Sequence, residues 1–179
     1  MRHDLIIAGI GGRGALTIGQ VLAQAAISRY KHILWYPSYT TARRGAPADA
    51  TIIFSDEEIT SPLVFQAQTL VIVESSRLKP FEHRVKPGGW IFIETFGLKE
   101  KVERKDVSVI EIPGIEMAAK LGDTQVGNFI LLGVYAAATK VISTELIREE
   151  IERRFQSNER MLLLNSKAFE EGLRLFESE

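Results

Sequence analysis

The chain contains no cysteine. It therefore supplies no thiolate to an iron-sulfur cluster, forms no disulfide and offers no thiol nucleophile, so any redox centre it serves is held elsewhere. Only three histidines occur. His3, His32 and His83 are far apart and outside any metal-ligand spacing, such as two imidazoles one helical turn apart. They read as structural or solvent-exposed, and no metal site is expected. No apolar run reaches membrane-spanning length, and the N-terminus enters a strand-like segment without a signal-peptide layout, so a soluble cytoplasmic protein is the expectation. There is no linker, internal repeat or low-complexity segment. With 45% apolar residues spread over 179 positions, composition predicts a single domain, residues 1–179, large enough for a real core.

A second absence is local. Leu5 to Ala48 contain no aspartate or glutamate, while the same stretch carries Arg13, Arg29, Lys31, Arg43 and Arg44, so its charge is about +5 in a chain whose net charge is -1. This asymmetry points to an anionic partner. Near its start lies Gly9-Ile10-Gly11-Gly12-Arg13-Gly14. The preceding Asp4 to Ala8 is a short apolar run like a buried parallel strand, and Ala15 to Ile27 has helical spacing, so a strand feeds a helix through four glycines. Glycine permits positive φ and leaves no Cβ to hold a ligand's oxygens off the backbone, while the helix N-terminus presents unpaired N–H groups and a partial positive charge. Such a turn suits phosphate, and Arg13 adds a full charge. The other reading is that the glycines only make a tight turn.

The spacing of Gly9, Gly11 and Gly14 matches the dinucleotide fingerprint, which also expects an acid about twenty residues on to hold the ribose hydroxyls. Here the second strand, His32 to Tyr36, runs into Pro37-Ser38-Tyr39, and no acid appears before Asp49. A standard NAD site lacks that element.

Further strands are expected at Ala50–Phe54, Thr69–Val73, Trp90–Glu94 and Val107–Ile112, with a short helix over Ser76–Val85 and a turn at Lys86-Pro-Gly-Gly89. The pattern predicts an α/β fold: an open, mostly parallel doubly wound sheet with helices on both faces and a helical C-terminal third. Ligands of such sheets collect at the carboxyl ends of the strands, where the glycine turn and the Ser38–Pro47 loop both lie. Helical spacing covers Ile115–Leu121, Val126–Val141, Thr144–Phe155 and Leu162–Phe176. The second of these is apolar almost all round, so it is buried against the sheet or against another subunit, and its apolar surface predicts association with partners or with itself. Asn128 near its start reads as a hydrogen-bonding group at a helix N-terminus. Asp56-Glu57-Glu58 reads as a helix start rather than a catalytic acid cluster, and Glu116 as a cap or surface residue.

Taken in order, the strand with Gly-Ile-Gly-Gly-Arg-Gly14, Pro37-Ser-Tyr-Thr-Thr-Ala-Arg-Arg-Gly45, Ile53-Phe-Ser-Asp-Glu-Glu-Ile-Thr-Ser-Pro62, Lys86-Pro-Gly-Gly89, Ile112-Pro-Gly-Ile-Glu-Met-Ala118 and Asn128-Phe-Ile-Leu-Leu-Gly133 resemble the gamma subunit of 2-oxoacid:ferredoxin (or other acceptor) oxidoreductases. The resemblance covers nearly the whole chain. It implies a non-autonomous enzyme component: thiamine diphosphate and the iron-sulfur clusters sit on alpha and beta subunits, with or without a ferredoxin-like delta subunit, and ferredoxin is the indirect acceptor. Neither nucleic acid nor a membrane is among the partners it implies. The complex oxidatively decarboxylates a 2-oxoacid to an acyl-CoA, and this subunit helps to hold coenzyme A.

Two departures make the chain more cationic than the family it resembles. Arg13 replaces the usual glutamine of the turn, and the usual Tyr-Gly-Pro-Glu-x-Arg-Gly-Gly loop reads Tyr39 to Ala46 with two glycines and the acid gone and a second arginine gained. The expected cofactor-binding residues are Gly11, Gly12, Arg13, Gly14, Ser38, Tyr39, Arg43, Arg44 and Gly45, with no catalytic or metal-binding residue. Arg43 and Arg44 read either as phosphate or partner contacts or as solvated loop charges. A free-standing NAD(P)-dependent enzyme, with those arginines facing a 2′-phosphate, and a non-catalytic docking module are the other functions left open. The Pro37 loop is similar to the subfamilies acting on 2-oxoglutarate and branched 2-oxoacids.

Overall fold

The computed structural model describes residues 1–39 and 45–178. Six strands form one sheet in the order β2-β3-β1-β4-β5-β6: β1 Arg2–Ala8, β2 His32–Tyr39, β3 Ala48–Ser55, β4 Ala67–Ile72, β5 Val85–Glu94 and β6 Ser108–Ile112. The β1–β4, β4–β5 and β5–β6 pairs are parallel, whereas β3 runs against both β1 and β2. The expected α/β sheet is thus present with one reversed strand. The reversal follows from the length of the link: residues 40–47, between β2 and β3, are too few for the crossover of about a dozen or more residues that a parallel pair needs, so the two neighbouring strands run antiparallel.

The strand period of two sorts the core into two layers. Leu5 and Ile7 of β1, Ile52 and Phe54 of β3 and Phe92 of β5 face one side, where they meet α1 (Ala15–Ala25), α3 (Gly114–Leu121), α4 (Gly127–Thr139), α5 (Thr144–Phe155) and α6 (Glu159–Glu177). Ile6, Ala8, Ile53, Ile91 and Ile93 face the other side, against Leu78 and Phe81 of the one-turn helix α2 (Leu78–Phe81), with Val64, Leu98 and Val102 from loops. Helices therefore lie on both faces, but most of the helical mass is on one. His3 and Thr69 are 3.1 Å apart through Nε2 and Oγ1, and burial pushes the His3 pKa down to about 4, so it is neutral at pH 7. His32 and His83 are exposed. His3 is thus a part-buried structural residue, whereas the other two face solvent.

Three local expectations change. Asp56-Glu57-Glu58 starts no helix: Ser55 accepts the Glu57 N–H in a bend at 3.0 Å, and Asp56 pairs with Arg29 at 3.7 Å instead of capping a helix. Lys86 to Gly89 form no separate turn but belong to β5, which passes a register shift opposite Ala67 and Thr69. Gly89 is needed there because a Cβ would stand 2.6 Å from the Gln68 carbonyl oxygen. Finally, α4 offers no apolar surface to partners. Every residue from Gly127 to Ala136 is buried, covered by the sheet on one side and by α6 on the other. The exposed large apolar side chains lie elsewhere, chiefly at Tyr36, Tyr39, Leu63, Phe65 and Phe96.

The contact of α4 with α6 is backbone on backbone. A Cβ on Gly133 would meet the Phe169 carbonyl oxygen at 2.3 Å, and one on Gly172 would meet the Ile130 carbonyl oxygen at 2.1 Å. Gly172→Ala should therefore force the helices apart and lower stability by about 1–3 kcal/mol or more, as overpacking does. Urea denaturation measures this. The loss should far exceed that of Lys120→Ala, where only an exposed ion pair to Glu116 is removed.

Candidate functional site

The carboxyl end of β1 is closed by residues on both sides of the glycine turn. Ile10 bridges to Pro47, the Gly11 N–H donates to the Ala46 carbonyl at 2.8 Å, and the Ala48 N–H donates to the Gly9 carbonyl at 3.0 Å. The Gly9 N–H donates to Asp49 Oδ1 at 3.0 Å, and Asp49 Oδ2 accepts from Arg77 at 2.8 Å. Asp49, the first acid after the second strand, is thus committed to the turn and to Arg77. This removes it from the ribose-reading role a dinucleotide site would need.

Gly12 and Gly14 have φ of 90° and 75°, the left-handed region where a side chain is strained. Gly14 is also the N-cap of α1, with no side-chain cap. Its own space is filled by α4: a Cβ would lie 2.2 Å from Asn128 Nδ2, which donates to the Gly14 carbonyl at 3.2 Å. Asn128 therefore supports the turn of another helix rather than its own. Ala15, Leu16 and Thr17, whose amides are the orphan donors of the first helical turn, border a cleft of about 390 Å³ that Gly11, Gly12 and Gly14 also line. The cleft continues between Asn128 and Phe129 of α4, Phe155 and the start of α6. A helix N-terminus with uncapped N–H groups and positive dipole end can hold an anionic oxygen there.

Arg13 faces the other way. Its Nε donates to Glu74 Oε2 at 3.1 Å, and it borders a cavity of about 30 Å³ shared with Glu94 and Asn128 rather than the larger cleft. Its charge is thus paired, and the extra cation expected in the turn is largely balanced by an acid 61 residues away. Gly45 lies beside Gly11, its amide nitrogen 3.6 Å from where a Gly11 Cβ would stand. Ser38 and Tyr39 end β2, both exposed, and pair with Asp49 and Ala48. Ser38 borders a different hollow, with Tyr36, Leu63, Phe65 and Arg84. Arg43 and Arg44 lie outside the described residues.

Several residues of the site carried no sequence expectation. Thr17, Phe155, Met161 and Asn165 line the cleft, and Glu94 sits beneath it. Asn165 could have been found as a polar residue on the buried stripe of α6, between Met161 and Phe169. Glu94 is 2% exposed and accepts the Phe96 and Ile115 N–H groups at 2.8 and 3.0 Å, closing the end of β5 onto the start of α3. Burial raises its carboxyl above the ordinary value, against the opposing pull of those amides and of Arg13.

Residues 4–175 match the family described as pyruvate ferredoxin/flavodoxin oxidoreductase, and the chain belongs to that family. It is 31% identical to the ketoisovalerate oxidoreductase subunit VorA of Methanothermobacter marburgensis over 167 residues, 93% of this chain and 35% of VorA. The chain thus spans about a third of that relative's length. Among solved structures, it superimposes on the gamma subunit of a keto/oxoacid ferredoxin oxidoreductase from Geobacter sulfurreducens with a TM-score of 0.83 and 24% identity, covering 99% of each chain. It superimposes on 31% of a chain of the 2-oxoglutarate:ferredoxin oxidoreductase from Magnetococcus marinus, which carries bound 2-oxoglutarate, coenzyme A and succinyl-CoA, with a TM-score of 0.88, 19% identity and 99% of this chain covered. The fold of these proteins is the fold described above.

The raised Glu94 carboxyl has a signed consequence. Its neutral form fits the fold better than the ionised one, so the stability it carries is complete below its ordinary value of 4.5 and is lost as pH rises through the higher folded value. Glu94→Gln should therefore gain on the parent as pH rises from 4 towards 7, measured as the difference in urea midpoint. A difference independent of pH would show that the carboxyl titrates at its ordinary value.

Proposed function

We propose that this chain is the gamma subunit of a 2-oxoacid:ferredoxin oxidoreductase complex, and that it contributes the phosphate-binding part of the coenzyme A site. The single observation that carries the site assignment is the uncapped N-terminus of α1 opening between Gly11, Gly12 and Gly14 into the cleft. The reaction it serves is oxidative decarboxylation of a 2-oxoacid, with the acyl group passed to the coenzyme A thiol and two electrons passed onward to an iron-sulfur acceptor. Family membership and the coenzyme A bound in the Magnetococcus enzyme support this reading.

Within it, residues 1–179 form one domain that holds no cofactor of its own. Backbone amides at the start of α1 take a phosphate oxygen, Gly45 lets the backbone approach Gly11, Ser38 and Tyr39 at the end of β2 offer hydroxyls, and Arg43 and Arg44 supply charge. Arg13 shapes the turn through Glu74. Thiamine diphosphate and the clusters reside on alpha and beta subunits, with or without a delta subunit, in the cytoplasm. The Pro37 loop leans towards a 2-oxoglutarate-type or branched 2-oxoacid as substrate, in line with the ketoisovalerate enzyme that VorA is named for and the 2-oxoglutarate enzyme of Magnetococcus.

The purified chain alone should reduce no viologen dye with a 2-oxoacid and coenzyme A, and should gain this activity only with its partner subunits. In the reconstituted complex, charge reversal by Arg43→Glu or Arg44→Glu should weaken coenzyme A by roughly 1–3 kcal/mol, the range for charge-assisted hydrogen bonds, or about one to two decades in affinity. Decarboxylation measured without coenzyme A should stay near normal. Unchanged coenzyme A affinity in both variants would make that loop a solvated surface.

A further inference from the structure

The cleft beside the glycine turn has walls that phosphate binding does not use. Phe129 and Phe155 pack edge to face there, with centroids 5.7 Å apart, and Met161 adds a thioether. Between these apolar groups stand two amides, Asn128 at 8% exposure and Asn165 at 2%. Asn128 has its Nδ2 committed to the Gly14 carbonyl, so its Oδ1 is a buried acceptor without a partner among the described residues. Asn165 is the converse, a buried Nδ2 donor without a partner among the described residues.

Leaving such groups unpaired is costly to a fold, and buried polar groups without partners are uncommon in native proteins. Leucine at position 165 would satisfy the buried stripe of α6 with no such cost. An unpaired acceptor and an unpaired donor in one cleft are together complementary to a secondary amide, whose N–H would donate to Asn128 Oδ1 and whose C=O would accept from Asn165 Nδ2. The aromatic and thioether walls suit the methylenes on either side of such an amide. The mouth of the same cleft is the anion-ready start of α1.

We propose that the cleft takes the amide-bearing aliphatic arm of a phosphorylated ligand, with Asn128 and Asn165 reading one amide of that arm. Resting on the coenzyme A reading above, this places the pantetheine arm between α4 and α6. It makes the two asparagines the residues that distinguish pantetheine thiols from simple ones.

Binding is measured by calorimetry on the reconstituted complex with three probes: coenzyme A, pantetheine without phosphate, and adenosine 3′,5′-bisphosphate without the arm. Asn165→Leu keeps the volume and removes the donor. It should weaken coenzyme A and pantetheine by about tenfold or more, the effect of one hydrogen bond to a buried group, and leave the bisphosphate unchanged. It should also keep or raise the thermal stability of the chain, since an unpaired buried donor is gone. Asn165→Asp, which puts an acceptor where the donor stood, should show the same selective loss and serves if the leucine variant does not fold. Equal coenzyme A affinity in parent and variants overturns the proposal and leaves the amide pair bound to water only, with the phosphate reading intact. Selective loss of pantetheine alongside no bisphosphate binding in the parent supports the arm site and removes the phosphate reading instead.

Discussion

The site depends on one close approach, that of α4 to the turn between β1 and α1. Gly14 leaves no room for a side chain because the Asn128 amide occupies that space, and the same amide donates to the Gly14 carbonyl. The left-handed conformation at Gly14 is what lets the chain leave β1 and start α1 without a side-chain cap. Held in this way, the first turn of α1 keeps its amides uncommitted to any capping group. A side chain at 14 would cost backbone strain and displace α4 together, so the turn and the helix behind it form one unit.

That unit sits on a sheet edge whose charges are mostly settled internally. Arg13 pairs with Glu74, two residues beyond β4, and Arg77 with Asp49 near the start of β3. Among the described residues of the turn, the attraction for an anion thus comes from backbone dipoles more than from side-chain charge. The positive excess of the acid-free segment is real in sequence, but two of its five cations, Arg13 and Arg29, serve other tasks. Arg29, for example, lies over the Tyr30 ring and beside Asp56 at the opposite end of the sheet.

How much was legible in the sequence follows from the range of the interactions. The glycine turn, β1, β4 and the helical periods of α5 and α6 are set by local pattern, and each lies close to its expected place. The missing helix after Ser55 is also local, but a serine turn competed with the acidic helix signal and won. The direction of β3 follows from the short 40–47 link to β2, whose length is plain in the sequence only once both strand ends are known. Arg13's partner is 61 residues away and Asn128's is 114 residues away, separations at which one sequence carries no spacing signal. Burial of α4 was legible from its composition, whereas its cover, the glycine contact with α6, was not, because Gly172 alone on a helix face looks like a weak point rather than a contact.

The last helix closes the first turn. Met161 and Asn165 of α6 line the cleft whose mouth is built by residues 11 to 17, so the opening of the chain and its C-terminal helix meet across the whole molecule. During synthesis the first strand, glycine turn and α1 leave the ribosome long before α4 and α6 exist. Until those helices arrive, the turn has neither the Asn128 contact nor the inner wall of the cleft. Maturation of the site is therefore a late event on the nascent chain, paced by long-range contacts that slow folding. A truncated or stalled polypeptide would carry the whole glycine motif and still present no finished pocket.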